Sequence, residues 1–474
     1  VEPLVYKHLK LEQGKSYFFT GLTNRFDHAN DAFKKALDDF FGCDFEPIYI
    51  FQNMPAKHYL KENFIVVNNK LIGKDPFKDI VGLKCEELNH DLNRSKEFRK
   101  ITKKILKSQD KIFLLLFTTS FLKLEQEEII PIGPKPEIAN FYDNKLTQFQ
   151  LFESLGFDHT NYRFYTELQK IEEMETLPFY ITSPFTSGGL ESRAIFNFNE
   201  MHSFIKGWRE FSKSQIIVTD YIDGADYFPH VTAIVYGENK VRVLGLIDQV
   251  LEGNSYVGNV YPSEVPVEIQ EKIKKMILKV GRAISQKGFR GLFGCDVMVK
   301  GSRILFHDLN PRREGSYGMF QLMIGEKLAV SELLISLGIE KCLVSEKDFA
   351  KDFCWGHAKV KTPCIKPLKI KGEFKMGTIS DPLINIGSDF AASFYPSNFL
   401  GYNAEPAYFF TTDHTREAVI SSLKKNQKKY IKKLYDNGSK RPKKSDSLLT
   451  AKLMDLNLSL SQDLSTAKSD TLAN

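Results

Sequence analysis

Residues 291–318 read GLFGCDVMVKGSRILFHDLNPRREGSYG, and the polar residues that close this stretch decide how the chain is organised. Two apolar runs, FGCDVMV at 293–299 and ILFHDLN at 304–310, flank Lys-Gly-Ser, a pattern that predicts a β-hairpin with glycine in its loop. Side chains alternate along a strand, so Ile304, Phe306, Asp308 and Asn310 share one face. A three-residue loop pairs Val299 with Arg303 and Asp296 with Phe306, which sets Asp296 diagonally beside Asp308. Asp296, Asp308 and Asn310 then offer three oxygen donors at one end of the hairpin. Hard oxygen ligands without thiolate or imidazole suit magnesium shared with substrate phosphates. A solvated hairpin end with scattered polar groups is the other reading of the same trio.

The 474 residues are 42% hydrophobic and 26% charged, enough to bury a large core and to form two or three domains. The densest apolar run, IFLLLF at 112–117, has strand length and falls far short of the ~18 residues that a membrane helix needs. The opening VEPLVYKHLKLEQGK lacks the apolar centre of a secretory signal. Six cysteines (Cys43, Cys85, Cys295, Cys342, Cys354 and Cys364) show no paired CxxC spacing, which favours reduced thiols and a cytoplasmic location. Cys354, His357 and Cys364 are too irregularly spaced to suggest a zinc site. Residues 424–444 hold ten Lys or Arg against one Asp, so with the whole chain at +6 the remainder stands at −3. Such a run reads first as a solvated helix face, with nucleic acid or an anionic membrane as the less favoured partners.

Periodicity divides the chain. Over 1–138, continuously apolar stretches such as KSYFFTG (15–21) and KIFLLLFTT (111–119) alternate with helical patterns such as SKEFRKITKKILKSQDK, as in an open α/β layer. Residues 139–345 mix helices such as EIQEKIKKMILKVGRAISQKG (268–288) with alternating strands such as KVRVLGLID (240–248), an α+β pattern. A small region at 346–435 is rich in short strands and ends in the basic helix. The final 436–474 carries no aromatic residue and is expected to be disordered, although its leucines at 449–464 keep a helical spacing that could fold against a protein partner.

In GFRGLFGCDVMV and ILFHDLNPRR the chain resembles the end of an ATP-grasp domain, where an acidic residue on one strand faces Glu-x-Asn-Pro-Arg on the next; Asp308 stands where Glu is usual. FYDNKLTQFQLFESLGF (141–157) resembles that family's opening helix, which makes Lys145 the phosphate-binding lysine. LPFYITSPFTSGGLESRAIF (177–196) resembles the strand–loop–strand over the triphosphate. There the small Ser187, Gly188 and Gly189 would let backbone N–H groups approach phosphate oxygens. IIVTDYIDGADYFPHVTAIVYG (216–237) resembles the adenine hinge, with backbone near Asp220 and Ile222 pairing the base and Asp226 gripping the ribose. DQVLEGNSYVGNVYPSEVP (248–266) resembles the acceptor segment of carboxylate–amine ligases. One departure is Ser183-Pro184 where most members have Lys-Pro, a lost contact for which Arg193 is a candidate replacement.

The resemblance implies a pre-ATP-grasp α/β layer at 1–138 and an ATP-grasp domain at 139–345 with its lid at about 145–218. It also implies ATP and Mg2+ as cofactors, small-molecule carboxylate and amine substrates, and an ADP-forming ligase working through an acylphosphate. Arg312 would then stabilise the transferring charge, with Asp296, Asp308 and Asn310 holding the metal. Arg290 and Arg313 are candidates for carboxylate recognition, and each equally fits a structural salt bridge. A bicarbonate-activating, carboxylase-type enzyme and a nucleotide-binding interaction protein are the alternatives. No biotin-accepting Met-Lys-Met is present.

Overall fold

In the computed structural model of the protein, the described residues are 4–22, 27–55, 57–74, 85–186, 191–208, 213–252, 255–360, 368–369, 389–393, 399–400 and 407–437. The expected disordered tail lies outside them beyond residue 437. Among these residues the chain forms a six-stranded, a four-stranded, an eight-stranded and a two-stranded sheet, the last of Leu368–Lys369 and Phe399–Leu400.

The two continuously apolar stretches become Ser16–Thr20 and Ile112–Leu115, neighbouring parallel strands in the middle of the first sheet. Its order is Leu4–His8, Phe64–Asn68, Phe45–Phe51, Ser16–Thr20, Ile112–Leu115, Ile129–Pro131, with the Leu4–His8 edge antiparallel and the other pairings parallel. Alternation sends Phe18 toward Phe33 and Leu37 on one side and Phe19 toward Phe98 and Ile101 on the other. Both faces are covered, which is why polar alternation is absent. Phe98 and Ile101 belong to the helix Lys96–Ile105, whose first turn is capped by Ser95 accepting from the Phe98 N–H.

The four-stranded sheet occupies the stretch expected to be the lid. It runs Tyr162–Tyr165, Ile216–Asp220, Phe179–Thr182, Ser192–Ile195, all antiparallel, over its own core of Ile171, Phe179, Ile181, Met201, Trp208 and Val218.

The large sheet runs Arg303–Asn310, Gly291–Lys300, Pro229–Gly237, Lys240–Glu252, Ser255–Tyr261, Cys354–Val360, Ala407–Asp413, Asp389–Ser393. The strand-rich C-terminal region therefore continues the same sheet. The helix Arg416–Asn437 lies on the added strands by burying Val419 and Leu423 against Gly356, while Lys424, Lys425, Lys428 and Lys429 face outward. Over that length the basic run is a solvated helix face. Among the described residues no helix is long and apolar enough to cross a membrane.

One face of the large sheet packs on Val267–Gln286 and Lys145–Ser154. The other shares a core with the first sheet, through residues such as Phe18, Phe113, Ile247, Phe320, Phe349 and Trp355. Arg313 pins this junction. One guanidinium nitrogen donates to the Leu116 and Ile132 carbonyls at 2.6 and 2.9 Å, and the other meets Glu332 at 2.5 Å. Tyr317 donates to the second Glu332 oxygen at 2.8 Å. These bonds give Arg313 the structural salt bridge that its sequence equally allowed. Breaking a buried ion pair strands the remaining charge at a cost of about 3–5 kcal/mol. Arg313→Met should therefore lower the urea midpoint by that equivalent; an unchanged midpoint would show that the clamp carries no stability.

Candidate active site

The hairpin forms with a register different from the simple expectation. Lys300 pairs with Arg303 and Val299 with Ile304 around a two-residue Gly301–Ser302 turn, and Gly301 takes the φ of +59° that such turns need. Continued without interruption, that register would put His307 opposite Asp296. A bulge between Val297 and Asp296 removes His307 from the ladder, so Asp296 faces Asp308 and Gly294 faces Asn310. The expected Asp296–Phe306 pair does not form; the two aspartates are direct cross-strand partners instead.

Facing carboxylates repel unless cations accompany them. Lys145, the first residue of its helix and 8% exposed, donates to Asp308 Oδ1 at 2.7 Å. The same residue's N–H donates to the Pro184 carbonyl, tying this helix to the strand that leads into the loop. On the neighbouring strand His230 places Nδ1 at 2.6 Å from Asp296 Oδ1 and Nε2 at 2.5 Å from Glu314 Oε2. Gln249 donates to the same Asp296 oxygen at 2.5 Å, and the Asn310 amide lies 3.4 Å from the other.

Burial disfavours a charged imidazole, but the Glu314 and Asp296 charges outweigh it and push His230 up to about 10. Burial likewise works to raise Asp296, and the His230 charge holds it below the usual range. Glu314 can reach His230 because Gly294 has no side chain; a Cβ there would lie 1.8 Å from Glu314 Oε1. The next arginine, Arg312, is 8% exposed, stands 3.8 Å from Asp143 Oδ1 and lies over the Phe117 ring.

Other expected residues are placed elsewhere. Arg290 precedes the strand that bears Asp296, where it donates to the Ser285 and Phe289 carbonyls in a helix-end contact with Glu340 4.0 Å away. Asp226 accepts from the Gly301 N–H at 2.6 Å and so holds the hairpin tip, not the carboxylate end. Asp220 bonds Arg163 and Asn161 through its carboxylate, and its N–H donates to the Asn161 carbonyl. Ile222 is half-buried in the segment after that strand. Ser183 is fully buried and donates to Glu191 at 2.7 Å. Arg193, the candidate replacement for the usual lysine, pairs with Glu200 and lies over Phe204 on the following helix. Ser187, Gly188 and Gly189 lie outside the described residues.

Sequence reasoning missed His230, Gln249 and Glu314. His230 sits in PHVTAIV, an alternating run that gives no sign of its cross-strand neighbours until register is known.

Asp296, Asp308 and Asn310 form an all-oxygen set of two carboxylates and a carboxamide. Among the described residues no three His, Cys, Asp or Glu side chains make a closed metal site, so a cation here would draw its other ligands from phosphate and water. The residues fit magnesium on those terms.

Residues 143–316 match the ATP-grasp domain, from the Asp143–Lys145 helix start to just past Glu314. Residues 143–316 of the chain are thus an ATP-grasp domain. Two relatives in sequence are ligases. The L-propargylglycine–L-glutamate ligase of Streptantibioticus cattleyicolor is 30% identical over 108 residues, 23% of this chain and 22% of that protein. The D-alanine–D-alanine ligase of Desulforudis audaxviator is 24% identical over 144 residues, 28% of this chain and 45% of that one. The chain thus spans less than half the length of either. In fold, the biotin carboxylase domain of Hydrogenobacter thermophilus 2-oxoglutarate carboxylase superposes with a TM-score of 0.62 at 12% identity over 90% of each chain. The N5-carboxyaminoimidazole ribonucleotide synthetase of Thermotoga maritima gives 0.55 at 10% identity over 88% and 98%. At such identities the likeness concerns the fold alone.

The buried imidazolium makes a stability prediction with a definite sign. A folded pKa of about 10 against an ordinary value near 6.5 means that the charged His230 stabilises fully below pH ~6.5 and loses that contribution as pH rises through about 10. Wild-type stability should accordingly fall more steeply than that of His230→Gln between pH 7 and 10. Parallel unfolding curves for the two proteins over this range would refute the imidazolium.

Proposed function

We propose that this protein is an ATP-dependent, ADP-forming ligase that activates a carboxylate as an acylphosphate and transfers the acyl group to an amine. The observation that carries this reading is the facing pair Asp296 and Asp308, with Asn310, Lys145 and Arg312 gathered at the same end of one hairpin in an ATP-grasp domain. A carboxylate does not condense with an amine unaided, because its leaving group is poor. Attack of the carboxylate oxygen on the γ-phosphorus breaks the bond to the β-phosphate bridge and releases ADP. The amine then adds to the acylphosphate carbon and expels inorganic phosphate, the amine proton going to solvent or base.

The protein's part in such a reaction is positioning and charge. Magnesium, when bound, neutralises phosphate charge. Asp296, Asp308 and the Asn310 carbonyl oxygen would hold it. Lys145 is oriented by Asp308 and would bridge to the α- and β-phosphates. Arg312, nearly buried beside Phe117, would face the charge that develops on the transferring group in a poorly hydrated setting where it counts most. The adenine edge would be read by backbone around Ile222, because the Asp220 N–H is committed to Asn161. The loop of Ser187, Gly188 and Gly189 would cover the phosphates.

A bicarbonate-activating enzyme would use the same groups on a smaller nucleophile, and the test separates the two. ADP release is measured with a panel of carboxylates, with bicarbonate and with neither, and hydroxylamine traps any acylphosphate as hydroxamate. Release that requires an organic acid and yields its hydroxamate supports the ligase. Release with bicarbonate alone supports the carboxylase-type reaction, and none with any acid overturns both.

Two sets of variants sharpen this. Asp308→Asn and Asn310→Ala should each cut turnover by about a hundredfold or more, the scale of losing one preorganised charge contact, with circular dichroism unchanged. Near-normal ADP formation by either would remove the metal assignment. Lys145→Met should weaken ATP binding by about 1.5 kcal/mol or more, as loss of a charge-assisted hydrogen bond does. Equal affinities in calorimetry would mean that this lysine serves only Asp308.

A further inference from the structure

The loop after the parallel strand Ile112–Leu115 makes contacts on two sides. Its first residues serve the end of the hairpin: the Leu116 carbonyl accepts from Arg313, and Arg312 lies over the Phe117 ring. A few residues on, Phe121 meets the ring of Phe185 edge-on, with centroids 5.3 Å apart and planes at 67°. Phe185 stands three residues beyond the strand Phe179–Thr182. The contact therefore joins the N-terminal layer to the four-stranded sheet.

Phe121 is held in a conformation that a phenylalanine does not prefer. Its φ is +62°, in the left-handed region that bulky side chains avoid. Among the described residues the other non-glycine there is Asn239, a residue type that tolerates it. Two asparagines one turn apart on the Cys85–Arg94 helix impose the conformation. Asn89 donates to the Thr118 and Ser120 carbonyls at 3.0 and 2.8 Å. Asn93 donates to the Phe121 carbonyl at 2.8 Å and accepts from the Lys123 N–H at 2.7 Å. The Leu122 N–H closes the turn on the Thr119 carbonyl at 3.1 Å, and the His90 ring lies 5.1 Å from that of Phe121. Glycine would take this φ without strain and keep the same backbone bonds. What phenylalanine adds is the ring, and the ring meets Phe185.

The segment bearing Phe185 lies beside the candidate active site. The carbonyl of the preceding Pro184 accepts from the Lys145 N–H at 2.9 Å, and the Lys145 ammonium holds Asp308. We infer that Phe121 is a positioning residue, a latch that holds the four-stranded sheet against the N-terminal layer beside Lys145 and must let go when nucleotide leaves. The inference rests on the proposed nucleotide site at Lys145 and the hairpin end, and is independent of which carboxylate the enzyme activates. It gives the N-terminal layer a part in the timing of nucleotide release through a ring that touches no charged group of the site.

The test is stopped-flow release of a fluorescent ADP analogue, with Mg2+, from the full chain. Phe121→Gly removes the ring and suits the backbone, so release should quicken by about two- to tenfold, the scale of one edge-on aromatic pair. Phe121→Tyr, which keeps a ring, should release at the wild-type rate. Phe185→Ala should quicken release as Phe121→Gly does, and the double variant should be no faster than the quicker single one, because both remove the same contact. Hydrogen exchange at the Lys145 amide, followed without nucleotide, reports departure of the Pro184 carbonyl and should quicken in both single variants. Unchanged release in Phe121→Gly and Phe185→Ala overturns the inference, even where exchange at Lys145 quickens, and so do additive effects in the double variant. Failure of the wild type to bind the analogue would count against the nucleotide site; unchanged Lys145 exchange would then overturn the latch as well, and faster exchange would uphold its hold on the sheet.

Discussion

Two carboxylates placed face to face on neighbouring strands are unstable by themselves, and much of the site's architecture answers that instability. Asp308 has the Lys145 ammonium, and Asp296 has the His230 imidazolium, which Glu314 holds from its other side. Each cation comes from a different element, one from the start of a helix and one from the adjoining strand. The pair can therefore exist without a metal and still present oxygens to one. Gly294 belongs to the same solution, because only a bare backbone lets the Glu314 carboxylate lie across the strand.

The bulge at His307 connects this electrostatics to the fold. Removing one residue from the ladder changes which side chains share a face, and without it Asp296 would oppose His307 instead of Asp308. The tight Gly301 turn and the bulge act as a pair, one choosing the register and the other shifting it midway. Downstream, Pro311 ends the strand and the two arginines diverge. Arg312 turns to Asp143 and the Phe117 ring, while Arg313 reaches the ends of the parallel sheet and Glu332. Neighbouring residues of one type thus hold unlike positions, Arg313 bonded at both terminal nitrogens and Arg312 with a single 3.4 Å bond to the Arg313 carbonyl.

The continuous core explains why the N-terminal layer can reach the site. Phe18 and Phe113 of the parallel sheet share a cluster with Ile247, Phe320 and Trp355 of the large sheet and its helices. That packing brings Glu86 within electrostatic reach of Asp143 and Arg312. The four-stranded sheet has a core of its own on one face, while Ile217 and Tyr162 on the other join the large sheet's core and the Lys145 N–H bonds the Pro184 carbonyl.

Much was legible in the residues themselves. Continuous apolarity at 15–21 and 111–119 marked strands covered on both faces, and the Asp296–Asp308–Asn310 trio and Lys145 were identifiable from alternation and motif order. These signals are local, since they depend on side-chain period and on turn residues within a few positions. What the sequence could not yield was anything set by partners distant along the chain. The bulge, the His230 imidazolium and the Glu314 approach over Gly294 depend on strand register, which no single strand's pattern encodes. The division of labour between Arg312 and Arg313 depends on which sheet end each guanidinium reaches. The outward turn of Arg193 and the helix-end contact of Arg290 arise from packing between elements. Sequence determined which chemistry was available; tertiary structure decided which charges meet, because Coulomb energy and desolvation depend on distance through space and not along the chain.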